Sequence, residues 1–525
     1  MNKSIKTSNF QEKILIFFLF IFSLLINQYY GNKGIFPLDS FSHFDTGYRI
    51  LIGEYPFRDY WIVEGPFIDY LQSIFFYICG ANWQSYILHA SLINVILSIV
   101  TFKILKDFNL NIYYCFFYSI SFSILAYPTS GTPFADHHSA FFSILGIYFL
   151  ILGIKNNLKI YWFLFPFFLG FAFFSKQVPS SYIIIFVFFI LIFYSVINKK
   201  FNWIKYSFFS SALFIFILVM IGKIQGISFN SFMDQYIFYP RTLGAERYQD
   251  IEISFKNIFL NFKFIYISLL PLLFTNLWKI FSERDYLRKK DFLYFLILFS
   301  LALSLILHQL LTKNQIFIFF LIPVLAAFSH ITLLNYRFKE KFFIPLIIVL
   351  CIFITFKYHL RFNEGRKFHE LRNINFSLSQ PGNKIDKKFF GLQWISTEFR
   401  DNPKEEINLI LKTISHLQKD ERKKMLMTHY AFFSVVLNQK LFSPTRYYTT
   451  HGVSHPTKDN RYFKTYQNFF IKKIKQNNIN VIYTMKPVER YFLSELLGDK
   501  CLKTSSINSI LDEHLILECD NLKIN

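Results

Sequence analysis

The stretch from Phe36 to Phe67 concentrates groups able to move protons or hold anions: Asp39, His43, Asp45, Arg49, Arg58, Asp59 and Glu64 all fall within it. It follows directly on the first apolar run. Polar side chains gathered between two apolar segments are a stronger pointer to chemistry than anything inside those segments. Further candidates recur in later loops: Asp136-His137-His138, Lys176-Gln177, Arg241 with Arg247, and Lys313-Asn-Gln315 after His308. Acids from two loops and cations from three suit transfer from a phosphate leaving group. A carboxylate takes a proton from an acceptor hydroxyl, and Lys or Arg neutralises the departing phosphate.

Composition sets what must position these groups. Of 525 residues, 53% are hydrophobic and 71 are Phe, and the apolar residues come in separated runs. Such a chain is a polytopic α-helical membrane protein. The net charge of +22 does not indicate nucleic acid, because the basic residues sit in short loops at alternate span ends, as the positive-inside rule requires. Lys3, Lys6 and Lys13 precede the run Ile14 to Tyr30, which reads as a signal-anchor span with a cytoplasmic N-terminus and the loop 31–66 outside.

Spans are then expected at Gln84–Leu105, Ile112–Tyr127, His137–Gly153, Ile160–Ser175, Ser181–Ile197, Tyr206–Ile224, Asn257–Trp278, Phe292–Leu311, Ile316–Leu334 and Phe342–Lys357, about eleven in all with the first. Phe67–Gly80 is too short to cross and reads as an interfacial or re-entrant helix. Gln225–Lys256 reads as a long polar loop, mobile until substrate binds. Residues 1–357 thus form a transmembrane domain and residues 358–525 a small soluble α/β domain on the outer face. In the latter, helices are expected at Glu405–Lys419, Arg461–Gln476 and Val488–Leu497, and strands at Lys424–Thr428 and Val481–Thr484. His429, His451 and His455 read as solvated loop residues, and Cys501 and Cys519 as a pair able to form a disulfide.

The order of these features resembles one family. A span, then Asp45-Thr-Gly-Tyr-Arg-Ile-Leu-Ile-Gly-Glu, an aromatic turn with Gly65-Pro66, a helix ending in Cys79-Gly80, and an acid at Asp136 opening the fourth span together resemble the GT-C superfamily of polyprenyl-phosphate-sugar glycosyltransferases. The nearer likeness is to its bacterial branch of lipid A aminoarabinose transferases and protein mannosyltransferases. The resemblance covers about the first 340 residues in topology and only the loops in motif.

It implies an inverting glycosyltransferase of the bacterial inner membrane, taking sugar from a polyprenyl-phosphate donor to an extracytoplasmic glycan, lipid or protein acceptor. Asp45 would be the base, with Asp39 in reserve; the competing reading is that Asp45 caps the helix Thr46–Gly53. Asp136 would hold substrate or share a divalent metal (Mg or Mn) with Asp45 and His137, or simply cap the fourth span. Lys176 would meet the lipid phosphate, or snorkel at the interface. His43, Arg58, His137, Gln177, Arg241, Arg247, Lys313 and Gln315 complete the expected substrate contacts. Glu64 stands where the aminoarabinose transferases carry a basic residue, so no phosphate contact is expected there. Two other classes fit a polytopic chain: an O-antigen-type polymerase or ligase, which would use late-loop cations such as Arg241 and Arg247, and a lipid-linked sugar flippase, which would carry ionisable groups near the midplane of its spans.

Overall fold

The structure, a computed structural model, describes residues 2–127, 131–313, 318–337, 340–365, 371, 374–448, 452–486, 488 and 490–517. Gln315, His451 and Cys519 lie outside the described residues. Among the described residues, eight helices are long and apolar enough to cross a membrane, from Phe10–Gly31 to Glu340–Glu364, and three shorter apolar helices, Ile112–Ala126, Lys159–Ser175 and Leu321–Tyr336, accompany them. Each expected span coincides with one of these helices. The chain is a multi-pass membrane protein whose helix bundle encloses one continuous apolar core, centred on the almost wholly buried helix Ala135–Asn156. Phe67–Gly80 is the separate helix Pro66–Cys79, buried along one face at Ile68, Asp69, Gln72 and Phe76.

Gly65 sets the entry to that helix. Its φ of 74° lies in the left-handed region, and a Cβ there would fall 2.7 Å from the His43 ring and 3.0 Å from the Arg446 guanidinium. Only glycine meets both conditions. Pro66 follows at the first helical position, where its missing N–H costs nothing.

The loop 31–66 is not an exposed strap. It carries the short helices Pro37–Phe41 and Phe44–Leu51 and lies between the spans and the C-terminal region. Phe41 packs on Phe44 and Trp83 from its own side and on Phe389, Trp394 and Phe432 from the other. Fully buried aromatic contacts of this kind are worth roughly 2–3 kcal/mol per side chain. Arg49 is buried with them: its guanidinium lies over the Tyr60 ring, pairs with Glu54 at 3.1 Å and donates to the carbonyls of Ser443 and Thr445. The C-terminal region is therefore fixed onto this loop by both apolar burial and a satisfied buried cation.

The C-terminal region holds a two-stranded pair, β1 (Gln380–Pro381) and β2 (Gln393–Trp394), and a four-stranded sheet of β3 (Lys424–Met427), β4 (Val481–Met485), β5 (Leu502–Asn508) and β6 (Leu511–Ile516) in the order β3-β4-β6-β5. Helices Pro403–Lys419, Phe463–Asn477 and Arg490–Leu497 stand within two residues of their expected bounds. The β5-β6 hairpin was not expected. β3 and β4 pair in parallel, and β6 joins β4 antiparallel. Cys501 is disulfide-bonded. His429 and His455 are buried, not solvated; His429 bonds to Glu398 at 2.9 Å and His455 packs among Tyr448, Tyr466 and Phe492.

Residues 225–256 also differ from expectation. They are largely helical, at Phe229–Phe232, Met233–Phe238 and Tyr239–Gln249. Gln235 anchors them, taking the Ile62 amide on its carbonyl and donating to the Phe57 carbonyl. An apolar group of Phe57, Tyr60, Ile62 and Tyr236 closes the contact.

Candidate active site

Six chain segments meet at one buried charged cluster. Lys176, at the joint between helices Lys159–Ser175 and Gln177–Asn198, places its ammonium 2.8 Å from Asp136 Oδ2 and 3.1 Å from Glu64 Oε2. His308, from the last turns of helix Lys290–Thr312, reaches the other Asp136 oxygen at 2.5 Å. Arg446, from the C-terminal region, bonds the Glu64 carbonyl and pairs with Asp69 at 3.1 Å. Arg247 is half-buried and adds positive potential at Lys176 and Tyr447.

Glu64 is the most exposed member at 21%, against 14% for Lys176 and 8% for Asp136. Burial works against its charge, but Lys176 and Arg446 prevail over burial and the neighbouring Asp136, and hold the carboxyl below its ordinary range. The cluster thus sets three carboxylates, Glu64, Asp69 and Asp136, against three cations, Lys176, Arg247 and Arg446, mostly away from solvent. A phosphate entering here would find cations already oriented, at the cost of displacing a carboxylate from Lys176.

A second tier supports it. Asp69 is fully buried and accepts from Thr46 Oγ1 and His43 Nδ1, each at 2.7 Å, besides Arg446. Burial and the Arg446 charge outweigh Asp69 and push the His43 pKa down, which favours the neutral ring, and its Nδ1 donates to Asp69.

The expected residues divide accordingly. Asp136, Lys176 and Arg247 come together; Asp45 does not join them. Both Asp45 oxygens accept from Ser434, one from its amide and one from its hydroxyl, each at 3.1 Å. Asp45 therefore caps the first turn of helix Phe433–Leu437 of the C-terminal region, not its own helix, in which it is the second residue. Asp136 likewise makes no cap contact on its own helix. The snorkelling reading of Lys176 fails because its ammonium is buried between carboxylates.

The expected metal set is not assembled. Asp45 is committed to Ser434, Asp136 to Lys176 and His308, and the His137 ring lies against Tyr127. Among the described residues no group of three or more His, Cys, Asp or Glu is placed to hold a metal ion. These residues do not fit a Mg or Mn site.

Other expected contacts are structural. Arg58 is bound by Asp59 and the Gln225 and Gly53 carbonyls, and Gln177 spans the Val63 and Tyr236 carbonyls. Arg241 and Lys313 are exposed, and Asp39 is half-buried on helix Pro37–Phe41, where its charge is felt at Tyr447. Glu64, Asp69 and Arg446 were missed as site residues. Glu64 was visible as the acid beside Gly65-Pro66; Arg446 lies in a region without any recognisable motif.

No curated protein sequence matches the chain. Two solved structures are similar in outline. The archaeal oligosaccharyltransferase AglB from Archaeoglobus fulgidus, in complex with an inhibitory peptide and a dolichol-phosphate, is 11% identical, with 90% of this chain and 69% of that one covered and a TM-score of 0.44. ArnT from Cupriavidus metallidurans, bound to undecaprenyl phosphate, is 9% identical, with 94% and 97% covered and a TM-score of 0.46. Residues 63–223 match the dolichyl-phosphate-mannose-protein mannosyltransferase family, and that segment contains Glu64, Asp136 and Lys176. The resemblance read from the sequence is thereby borne out over residues 63–223; Arg247, His308 and Arg446 lie outside that segment.

Proposed function

We propose that the chain is a membrane glycosyltransferase that moves a sugar, with inversion, from a polyprenyl-phosphate donor to a hydroxyl of an extracytoplasmic glycan, lipid or protein. The observation that carries this reading is the Lys176 ammonium held between Glu64 and Asp136 inside a multi-pass bundle. Lys176, Arg247 and Arg446 receive the lipid phosphate. Glu64, the more accessible carboxylate, takes the acceptor proton as the new C1–O bond forms and the C1–O(phosphate) bond breaks. The electron pair leaves with the polyprenyl phosphate, whose charge the three cations meet. Asp136 and His308 keep Lys176 in place.

The basic loops support an inner-membrane orientation with the N-terminus in the cytoplasm. Lys155 and Lys290 lie at the helix ends opposite those that carry Asp136 and His308. Residues from 358 onward then form the extracytoplasmic domain.

A second assignment of the base has one observation in its favour. Burial raises the Asp45 pKa to about 6, a value suited to a base at neutral pH, and release of the Ser434 contact would free it. Reconstitution with a polyprenyl-phosphate sugar, with release of polyprenyl phosphate followed by mass, separates the two. Glu64→Gln should lower release by about 100-fold or more while Asp45→Asn changes it little. The reverse result assigns the base to Asp45, and undiminished release in both discards the mechanism.

A further inference from the structure

A cavity of about 240 Å³ in the C-terminal region shares no residue with the charged cluster. It is bordered by Glu398, Phe399, Tyr430, Lys486, Ser509 and Ile510. Its place follows from the sheet. β3 and β4 run in parallel, so Tyr430 and Lys486, each just past its strand, stand at the same edge. Ser509 and Ile510 form the β5-β6 turn, which is tied to that edge by the Lys486 amide donating to the Ile510 carbonyl at 3.0 Å. A crevice outside the carboxyl ends of parallel strands is where α/β sheets receive small ligands.

The walls set two aromatic rings and an isoleucine beside polar groups that are held from behind. Glu398 is 41% exposed; His429 fixes one of its oxygens at 2.9 Å, and the Tyr430 hydroxyl stands 3.5 Å from the other. His429 is itself buried, and its Nδ1 meets no hydrogen-bond partner among the described residues. The Tyr430 hydroxyl donates to buried Glu406, which also accepts from Trp394 Nε1 at 2.8 Å and Ser396 Oγ at 2.9 Å. Glu398 is held by one direct bond, from a buried histidine, and the Tyr430 beside it is itself fixed by Glu406, which is the build of a binding group, not of a stray surface charge.

Size and chemistry select the ligand class. The volume falls below the ~300 Å³ at which drug-sized sites begin, which suits one sugar ring and excludes a lipid chain. A pyranose offers hydroxyls that donate to a carboxylate and accept from an ammonium or a hydroxyl, and a C–H face that packs on aromatic rings. A peptide added to the sheet beside β3 would compete with a chain segment already there, since the Leu426 amide donates to the Leu441 carbonyl.

We infer that this cavity binds one sugar residue of the acceptor, with Glu398 accepting from ring hydroxyls, Lys486 and Ser509 donating to others, and Phe399 and Tyr430 against the C–H face. Only the word acceptor rests on the transferase reading; sugar binding stands apart from turnover.

The test is saturation-transfer NMR on the full chain in lipid nanodiscs, without donor, using galactose, N-acetylglucosamine and glucuronic acid as separate probes. At least one should show transfer to its ring protons. Because Glu398 and Lys486 face solvent, the double variant Glu398→Gln/Lys486→Ala should keep its thermal transition and bind about tenfold or more weakly. No transfer from the wild type to any of the three, or equal transfer in the double variant, overturns the proposal. So does a tetrapeptide probe, Ala-Ser-Thr-Gly, that binds with the same sensitivity while the sugars do not. Polyprenyl phosphate release measured on the same wild-type sample keeps the two claims apart: binding without release sinks the transferase reading and leaves the sugar site.

Discussion

Asp45 and Ser434 are joined twice, with one carboxylate oxygen accepting from the Ser434 amide and the other from its hydroxyl. The contact links the loop after the first span to the start of a helix in the C-terminal region, 389 residues further along the chain. Asp45→Ala removes both bonds and leaves an amide and a hydroxyl buried without partners, which costs about 1–3 kcal/mol. Trypsin should then cut between the spans and the C-terminal region faster than in the wild type. Asp45→Asn keeps an acceptor and should protect like the wild type; equal cutting in all three would show the contact to be inert.

The same pair sets a pH dependence. Burial raises the Asp45 pKa from 3.8 to about 6, against the opposing pull of Arg49 and the Ser434 bonds. A carboxyl whose folded pKa is raised binds its proton more readily in the folded state, so stability rises as pH falls through about 6 and levels off below the unfolded value. The wild type minus Asp45→Asn difference in thermal transition should shrink from pH 7.5 to pH 5. A difference that stays constant over that window contradicts the assignment.

Lys176 is predicted to be costly to remove alone and cheaper to remove with a partner. Lys176→Met takes away the ammonium that Glu64 and Asp136 share, leaving Asp136 with His308 and Glu64 with the Arg446 charge, a loss of about 3–5 kcal/mol. Adding Asp136→Asn should restore part of that stability, and a double-mutant cycle on thermal unfolding reads the coupling. Additive losses would mean that the ion pair at 2.8 Å carries no energy. Transfer activity should stay lost in both variants, because the proposed phosphate cradle then lacks its central cation.

Much of this arrangement could be read from the sequence, and the reason lies in pattern length. Each apolar run had enough residues to declare a span, and the basic loops sorted their ends, so the convergence of Asp136, Lys176 and Arg247 on one face followed from topology alone. Side-chain pairing did not. Asp45 and Asp136 looked equivalent as acids opening helices, but only tertiary packing brings Ser434 to one and Lys176 with His308 to the other. Arg446 shows the other limit: nothing within twenty or so residues of it marks a partner for Asp69, which is 377 residues away. The hairpin of β5 and β6 was hidden for a local reason, since Leu502–Asn508 is mostly exposed and polar and lacks the apolar alternation that announces a half-buried strand.

Arg446 is predicted to be irreplaceable by lysine. Its guanidinium reaches the Glu64 carbonyl and the Asp69 carboxylate together, a geometry a single ammonium reproduces poorly. Arg446→Lys should lower the thermal transition and raise the KM for the lipid donor, and Arg446→Ala should do so further, leaving Asp69 buried with only His43 and Thr46. Unchanged donor KM in Arg446→Lys would remove Arg446 from the proposed phosphate cradle and leave it a structural role.

Glu406 gives a prediction with an optical readout. Burial raises its pKa from 4.5 to about 7, despite the donors Tyr430, Trp394 and Ser396 that favour the charged form. As with any carboxyl raised on folding, the C-terminal region should gain stability as pH falls through about 7, until the unfolded value is passed. Because Trp394 Nε1 donates to this carboxylate, its emission should titrate with the same midpoint. Glu406→Gln retains an acceptor toward Trp394 and Ser396 and turns an amide toward the Tyr430 oxygen, so the fold survives while the titration disappears. Tryptophan emission of the wild type and of Glu406→Gln between pH 5 and 9 should therefore differ by one sigmoid near neutrality. If the two curves coincide, the proton resides elsewhere, and the hydrogen-bond chain from Trp394 through Glu406 to Tyr430 does not control the acid at the mouth of the cavity.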